Sequence, residues 1–188
     1  AGPQKETKIQ RVKLRSTPRL TDDSDLKTMI RECNFFVKNR NDEGEFPNDF
    51  VDNGDGTITD RTTGLMWEKG GSSSAMRYRS AKRYVSRLNK ERSGGYNDWR
   101  IPTTEELASL LERDRNNRAL YIAPLFDGRQ KAYWTSDTVP TAHTWAIRNN
   151  VIDFSNGSIE STISESGVPN TSGWEEDKCF IRAVRSIK

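Results

Sequence analysis

The chain has 188 residues, 32% of them hydrophobic and 30% charged, with a mean hydropathy of −0.88 and a formal net charge of +3. That length suits one domain, or one domain with an extension. No apolar run approaches the roughly 20 residues of a membrane span, and the first residues lack the apolar stretch of a signal peptide. The charge is uneven. Residues 1–20 hold six cations (Lys5, Lys8, Arg11, Lys13, Arg15, Arg19) against Glu6, which leaves the rest of the chain at −2. A basic arm of this kind binds nucleic acid or an acidic surface, or is simply a solvated linker; the linker is the expectation. Ala1-Gly2-Pro3 reads as a truncation or processing scar, compatible with a natural N-terminus that is missing together with any targeting segment or partner domain.

With so polar a composition, the five Trp, five Tyr and seven Phe must supply much of the core. Thr21 to Asp25 reads as a capped helix start rich in acids. Leu26, Met29, Ile30 and Cys33 follow at i, i+3, i+4, i+7 as its apolar face. Residues 50–60 read as a hairpin turned at Gly54 and Gly56, because glycine enters positive φ without strain. Arg61-Thr62-Thr63-Gly64 makes a second turn and Leu65-Met66-Trp67 a third strand. Ser80 is expected to cap a helix to about Arg92 with Ala81, Tyr84, Val85 and Leu88 inward.

Asp98-Trp99-Arg100-Ile101-Pro102 is extended ahead of its proline. Thr103 and Glu106 then match a capping box, with Leu107, Leu110 and Leu111 on the buried side. Beyond residue 119 the pattern turns to β, with strands expected at 132–136, 143–147, 151–154 and 179–184. In the last, alternation buries either Cys179, Ile181 and Ala183 or Phe180 and Val184. Residues 155–177, rich in Ser, Asn, Thr and Gly, read as a long loop or loose hairpin. The class is α+β. The expected division is a basic linker (1–20), a helical extension (21–48) and a binding domain (49–188).

Few residues offer catalytic chemistry. Asp52-Asn53-Gly54-Asp55-Gly56 crowds oxygens, but the twelfth position of an EF-hand loop starting at Asp52 is Thr63 rather than glutamate, so a hairpin turn is expected. His143 is the single histidine and has no nucleophile or metal-ligand spacing beside it. Phosphate-loop and paired-cysteine zinc patterns are absent from the sequence. A pair of carboxylates would suffice for a glycosidase, but most acids here sit in turns and helix starts. Trp67, Trp99 and Trp134 read as core anchors, Trp145 equally as core or contact, and Trp174 as an exposed contact. Cys33 and Cys179 are compatible with a disulfide closing a long loop or with two buried thiols.

Four motifs occur in order: residues 50–67 (FVDNGDGTITDRTTGLMW), Asp98-Trp99-Arg100-Ile101-Pro102-Thr103 with Glu106-Leu107, Tyr133-Trp134-Thr135-Ser136, and Ile181-Arg182-Ala183-Val184-Arg185. Over roughly residues 46–186 the chain resembles the C-terminal domain family of the Legionella collagen-like protein adhesin. The resemblance implies a C-type-lectin-like fold related to the formylglycine-generating enzymes. In that fold two helices pack on a small, mostly antiparallel twisted sheet with a long irregular loop region, and N- and C-terminal strands pair. It also implies binding of sulfated polysaccharides. Formylglycine-generating enzymes use a cysteine pair late in the chain; here Cys179 stands alone there, so that activity is not carried over. The same fold serves the variable proteins of diversity-generating retroelements, which bind varied protein ligands through diversified late positions.

The expectation is therefore a non-enzymatic ligand-binding module, without cofactor or metal, whose partner is a polysaccharide or a protein rather than nucleic acid. A cell-surface or secreted setting and a fused N-terminal partner domain fit this reading. Candidate ligand contacts are Arg148, Asn149, Asn150, Asp153, Asn156 and Trp174. Candidate polyanion contacts are Arg77, Arg79, Lys82, Arg83 and Arg87. Residues 77–118 carry 11 Lys/Arg and six Asp/Glu, a net +5, although a solvated helix side would look the same.

Overall fold

The structure is a computed structural model that describes residues 11–116, 119–142, 145–167 and 176–187. Among the described residues three α-helices flank two antiparallel sheets, as the α+β expectation required. Helix α1, Asp23–Cys33, starts at a reciprocal capping box between Asp22 and Asp25, one residue later than Thr21 would have begun it. It ends at Asn34 in the left-handed region (φ 52°), and buries Leu26, Met29 and Ile30.

The meander of β1 (Phe50–Asp52), β2 (Thr57–Asp60) and β3 (Leu65–Glu68) follows as expected. From the other end of the chain, β7 (Val184–Ser186) joins β3, placing Trp67 opposite Val184. Carboxylates in the β1–β2 turn are occupied locally: Asp52 takes the Gly54 N–H and the Lys69 ammonium, and Asp55 takes the Thr57 N–H and hydroxyl.

Helix α2, Tyr78–Glu91, begins two residues before Ser80, with Arg77 as an N-cap lacking a side-chain cap bond. Tyr78 explains the longer start: its ring meets Trp134 edge-on at 5.4 Å, which draws the first turn onto the core. Ala81, Val85 and Leu88 are buried as expected, whereas Tyr84 is only half-buried. Helix α3, Thr104–Ala108, has the expected Thr103–Glu106 capping box but spans five residues. Leu110 and Leu111 lie in the turn beyond it and are still buried.

The second sheet corrects the reading of the later chain. Strands β4 (Ala132–Val139), β5 (Ala146–Asp153) and β6 (Ser158–Ser166) form one antiparallel sheet with β5 in the centre. The two short strands expected at 143–147 and 151–154 are thus one strand, bridged by the polar residues Arg148, Asn149 and Asn150. Of the segment read as a long loop or loose hairpin (155–177), the hairpin alternative fits: much of it is β6, paired antiparallel with β5 from Ser158 opposite Asp153 to Ser166 opposite Ala146. Its serines and threonines left no apolar alternation to read, Ile159 being the buried apolar residue of the strand.

Two apolar clusters underlie the sheets. The first joins Leu14, Leu26, Met29, Ile30, Phe35 and Phe36 from the N-terminal part to Trp67, Leu107, Phe154 and Val184. The second surrounds Trp134 and Trp99 with Val85, Leu88, Cys179, Ile181 and Ala183. The extension is therefore part of the domain's own core. Residues 11–20, read as a solvated linker, instead run along the surface in fixed contact. Val12 N–H donates to Thr62 O, Thr138 N–H to Arg19 O and Thr21 N–H to Thr138 O, at 2.8, 3.1 and 2.8 Å.

Candidate functional site

The late polar segment divides on inspection. Asn149 and Asn150, expected to face a ligand, are each 1% exposed. Their amides donate inward, Asn149 to Thr135 O at 3.0 Å and Asn150 to Thr104 Oγ1 at 3.2 Å. Both are corrections, because the amide nitrogens find acceptors inside the protein, although Asn149 Oδ1 is buried without a partner among the described residues. Arg148 lies half-buried along the sheet and donates to Ser161 O at 2.6 Å. Asp153 and Asn156 shape the β5–β6 turn by accepting from the N–H and hydroxyl of Ser155 and Ser158 respectively. Trp174 and His143 lie outside the described residues. Trp67, Trp99 and Trp134 are core residues and Trp145 is half-buried.

The basic positions of α2 form the better-built surface. Arg79, Arg83 and Arg87 recur every fourth residue, so they project from one side at intervals of about 6 Å along the axis. All three are exposed. Among the described residues Arg79 and Arg83 have no ion pair, and Arg87 lies over the Tyr84 ring at 5.3 Å. The flanking cations are held by acids: Lys82 reaches Glu165 at 2.9 Å and Arg77 approaches Glu176 at 3.7 Å. Thus, among the described residues, the structure leaves Arg79, Arg83 and Arg87 together without an ion pair, Arg87 feeling the Glu68 charge at longer range, and partly neutralises the other two.

Beside this stripe a cleft of about 420 Å³ opens between residues 72–74 with Met76 on one side and Ser80, Arg83, Tyr84 and Arg87 on the other. The helical wall follows i, i+3, i+4, i+7 spacing. That spacing, set behind three consecutive serines, was the signal available in the sequence and was missed.

The walls are fixed from behind. Ser72 N–H donates to Ile181 O at 2.8 Å, and its hydroxyl accepts the Ile181 N–H at 3.1 Å while donating to Ser74 O at 3.0 Å. Gln130 donates to the carbonyls of Gly70 and Ser72 at 2.8 and 3.1 Å. Arg182, fully buried between the Phe126 and Tyr133 rings, donates to the carbonyl of Glu68 at 2.6 Å just upstream. Met76 and Cys179 exchange backbone hydrogen bonds, and the Trp134 indole donates to Met76 O at 2.7 Å.

Tyr84, on the helical wall, donates to Glu68 Oε1 at 2.7 Å, while Glu68 Oε2 accepts the Ala183 N–H at 2.9 Å. Burial pushes the Glu68 carboxyl above its ordinary range. Burial and then the Glu68 charge push the Tyr84 phenol up, so it stays a neutral donor. Cys33 and Cys179 are free thiols, and burial raises them to about 11 and about 12. Thiols so raised are poor nucleophiles at neutral pH.

Among the described residues no helix is long and apolar enough to cross a membrane. Neither the curated proteins nor the solved structures contain a match to the chain. One family model does match, that of the Lcl C-terminal domain, over residues 56–185. That span holds three of the four expected motifs in full, most of the first, and the whole of the cleft, and by it the chain belongs to the Lcl C-terminal domain family.

Proposed function

We propose that the chain is a non-enzymatic binding module that holds an anionic polysaccharide along the exposed side of α2. One observation carries the reading: Arg79, Arg83 and Arg87 recur along one side of α2, exposed and without an ion pair among the described residues. A row of uncompensated guanidiniums attracts sulfate and carboxylate groups and offers them paired donors. Family membership supports a binding role, since the family is defined on a domain of an adhesin. The C-type-lectin-like architecture belongs to the same proposal. Ligand contact at Asp153, Asn156 and Trp174 is retained as a secondary surface beside it.

Two other readings have less support. A variable protein displaying residues 148–174 would have Asn149 and Asn150 at its surface, and both are interior. An enzyme of the formylglycine-generating type would need a reactive cysteine pair, and Cys179 is buried with a raised thiol.

The test is retention on immobilised heparin. The intact chain should bind at low salt and elute as salt rises, because exposed charges are screened within a Debye length of roughly 10 Å at 0.1 M. The triple variant Arg79→Ala, Arg83→Ala, Arg87→Ala should elute at clearly lower salt with its melting temperature unchanged. Equal elution of variant and parent would sink the reading.

A further inference from the structure

We propose that the cleft between residues 72–74 and α2 is a subsite for a single sugar ring bearing one anionic group, a sulfate ester or a carboxylate. The assignment rests on the polyanion reading of α2 and names the unit that the site takes. Three features carry it.

The first is charge. Among the described residues the lining presents two guanidiniums, Arg83 and Arg87, and no carboxylate. Among the described residues the acid behind Tyr84, Glu68, is covered by the Tyr84 hydroxyl and the Ala183 N–H. An anionic group therefore meets donors without repulsion from the lining.

The second is the hydroxyl inventory. Ser72 is used up within the loop. The side chains of Ser73, Ser74 and Ser80 make no hydrogen bond among the described residues. Three free hydroxyls around two cations suit a ligand with several hydroxyls of its own better than a bare ion. Met76 adds a small apolar contact for a ring face.

The third is size and rigidity. About 420 Å³ lies within the roughly 300–1,000 Å³ of small-molecule sites. It admits a ring and its substituents but not a folded polymer. The wall of residues 72–74 is pinned by Gln130 and Ile181, and the other wall is a helix. The backbone of both walls is thus set before binding, and the ordering left to impose is that of the Arg83 and Arg87 side chains. Arg79 lies on the same helix outside the cleft, which separates ridge from subsite.

The experiment is an amide-shift titration of the full chain with N-acetylglucosamine 6-sulfate, glucuronate, N-acetylglucosamine and inorganic sulfate, alongside heparin retention. Saturable shifts at residues 72–87 with one or both charged sugars are expected, and which of them binds distinguishes sulfate from carboxylate. Neutral sugar and inorganic sulfate should bind at least tenfold more weakly. Arg83→Ala should weaken the charged sugar about tenfold and the double variant Ser74→Ala, Ser80→Ala severalfold, whereas Arg79→Ala should change it less than twofold. Melting temperatures of all variants establish that the fold is kept.

Inorganic sulfate binding as tightly as the sulfated sugar would overturn the assignment, as would absence of saturable shifts in residues 72–87. If heparin is retained while the cleft stays silent, the subsite alone fails. If heparin is not retained at all, the polyanion reading and the subsite fall together.

Discussion

Arg15 and Asp137 are 122 residues apart in sequence and meet in a two-pronged ion pair, Nη1 to Oδ1 at 2.8 Å and Nη2 to Oδ2 at 2.7 Å. The Asp137 side chain is fully buried and also accepts the N–H groups of Arg19 and Thr104 at 2.9 and 2.8 Å. Arg15 in turn donates its own N–H to Glu105 and accepts the Thr103 hydroxyl. One carboxylate thus joins the N-terminal strap, β4 and the start of α3. Removing either partner breaks a half-buried pair, since the Arg15 side chain is 20% exposed, and should cost about 1.5–3 kcal/mol, less than a fully buried pair would. Urea unfolding of Asp137→Ala should show a loss in that range, and Arg15→Ala a similar one. The double variant should lose much less than the sum of the two. Additive losses would show that the strap is energetically independent of β4.

The pH dependence of stability should have two limbs. Burial by itself would raise the Asp137 carboxyl, but the hydrogen bond from Arg15 and those from Arg19 and Thr104 outweigh it and hold the group below its usual range. A depressed carboxyl stabilises the fold above its unfolded value of about 3.9, and that contribution is lost as pH falls through the folded value. Glu68 behaves oppositely, because burial raises it. Its contribution is complete below the unfolded value of about 4.3 and declines as pH rises through the raised value. Urea melts across the acid range should show Asp137→Asn flattening the lower limb and Glu68→Gln flattening the upper one. Unchanged profiles would contradict both assignments.

The span that matches the family should not fold by itself. Leu26, Met29, Ile30, Phe35 and Phe36 precede residue 56 and line the same cluster as Trp67 and Phe154. Phe35 is fully buried, with its ring 5.1 Å from that of Phe46. Deleting a buried phenylalanine side chain costs roughly 3–5 kcal/mol through lost transfer energy and the cavity left behind. Phe35→Ala should fall in that range. A fragment of residues 56–185 should show no cooperative thermal transition; a sharp one would place the extension outside the folding unit.

Gly71 sets the path of the cleft wall. Its φ is +64°, and an added Cβ would lie 2.9 Å from Ile181 O. Gly71→Ala combines a left-handed alanine, costing roughly 1–2 kcal/mol, with a clash that pushes residues 72–74 outward. Affinity for a charged sugar should fall while heparin retention through Arg79 persists. Unaltered sugar affinity would mean that the loop position is not important to the cleft.

Local structure was legible because local rules produce it. The Thr103–Glu106 box, the β1–β2 turn and the apolar faces of α1 and α2 each depend on residues within one or two turns of each other. So did the cationic side of α2, which regular helical spacing makes visible in one dimension. The same reasoning misread Asn149 and Asn150, because a polar side chain goes inside only when distant groups await it. Here those groups are Thr135 O and Thr104 Oγ1, found only across the packed sheet.

The chain's order of residues thus determined its helices, its first hairpin and where its positive charge would gather. Tertiary structure alone decided that residues 11–20 are strapped down, that β6 is a strand, and that three serines face two arginines across a cleft. Each of those outcomes depends on partners far away in sequence, such as Asp137 for Arg15 and Ile181 for Ser72. Short-range pattern holds no record of such meetings, since they come from the packing of whole elements against one another.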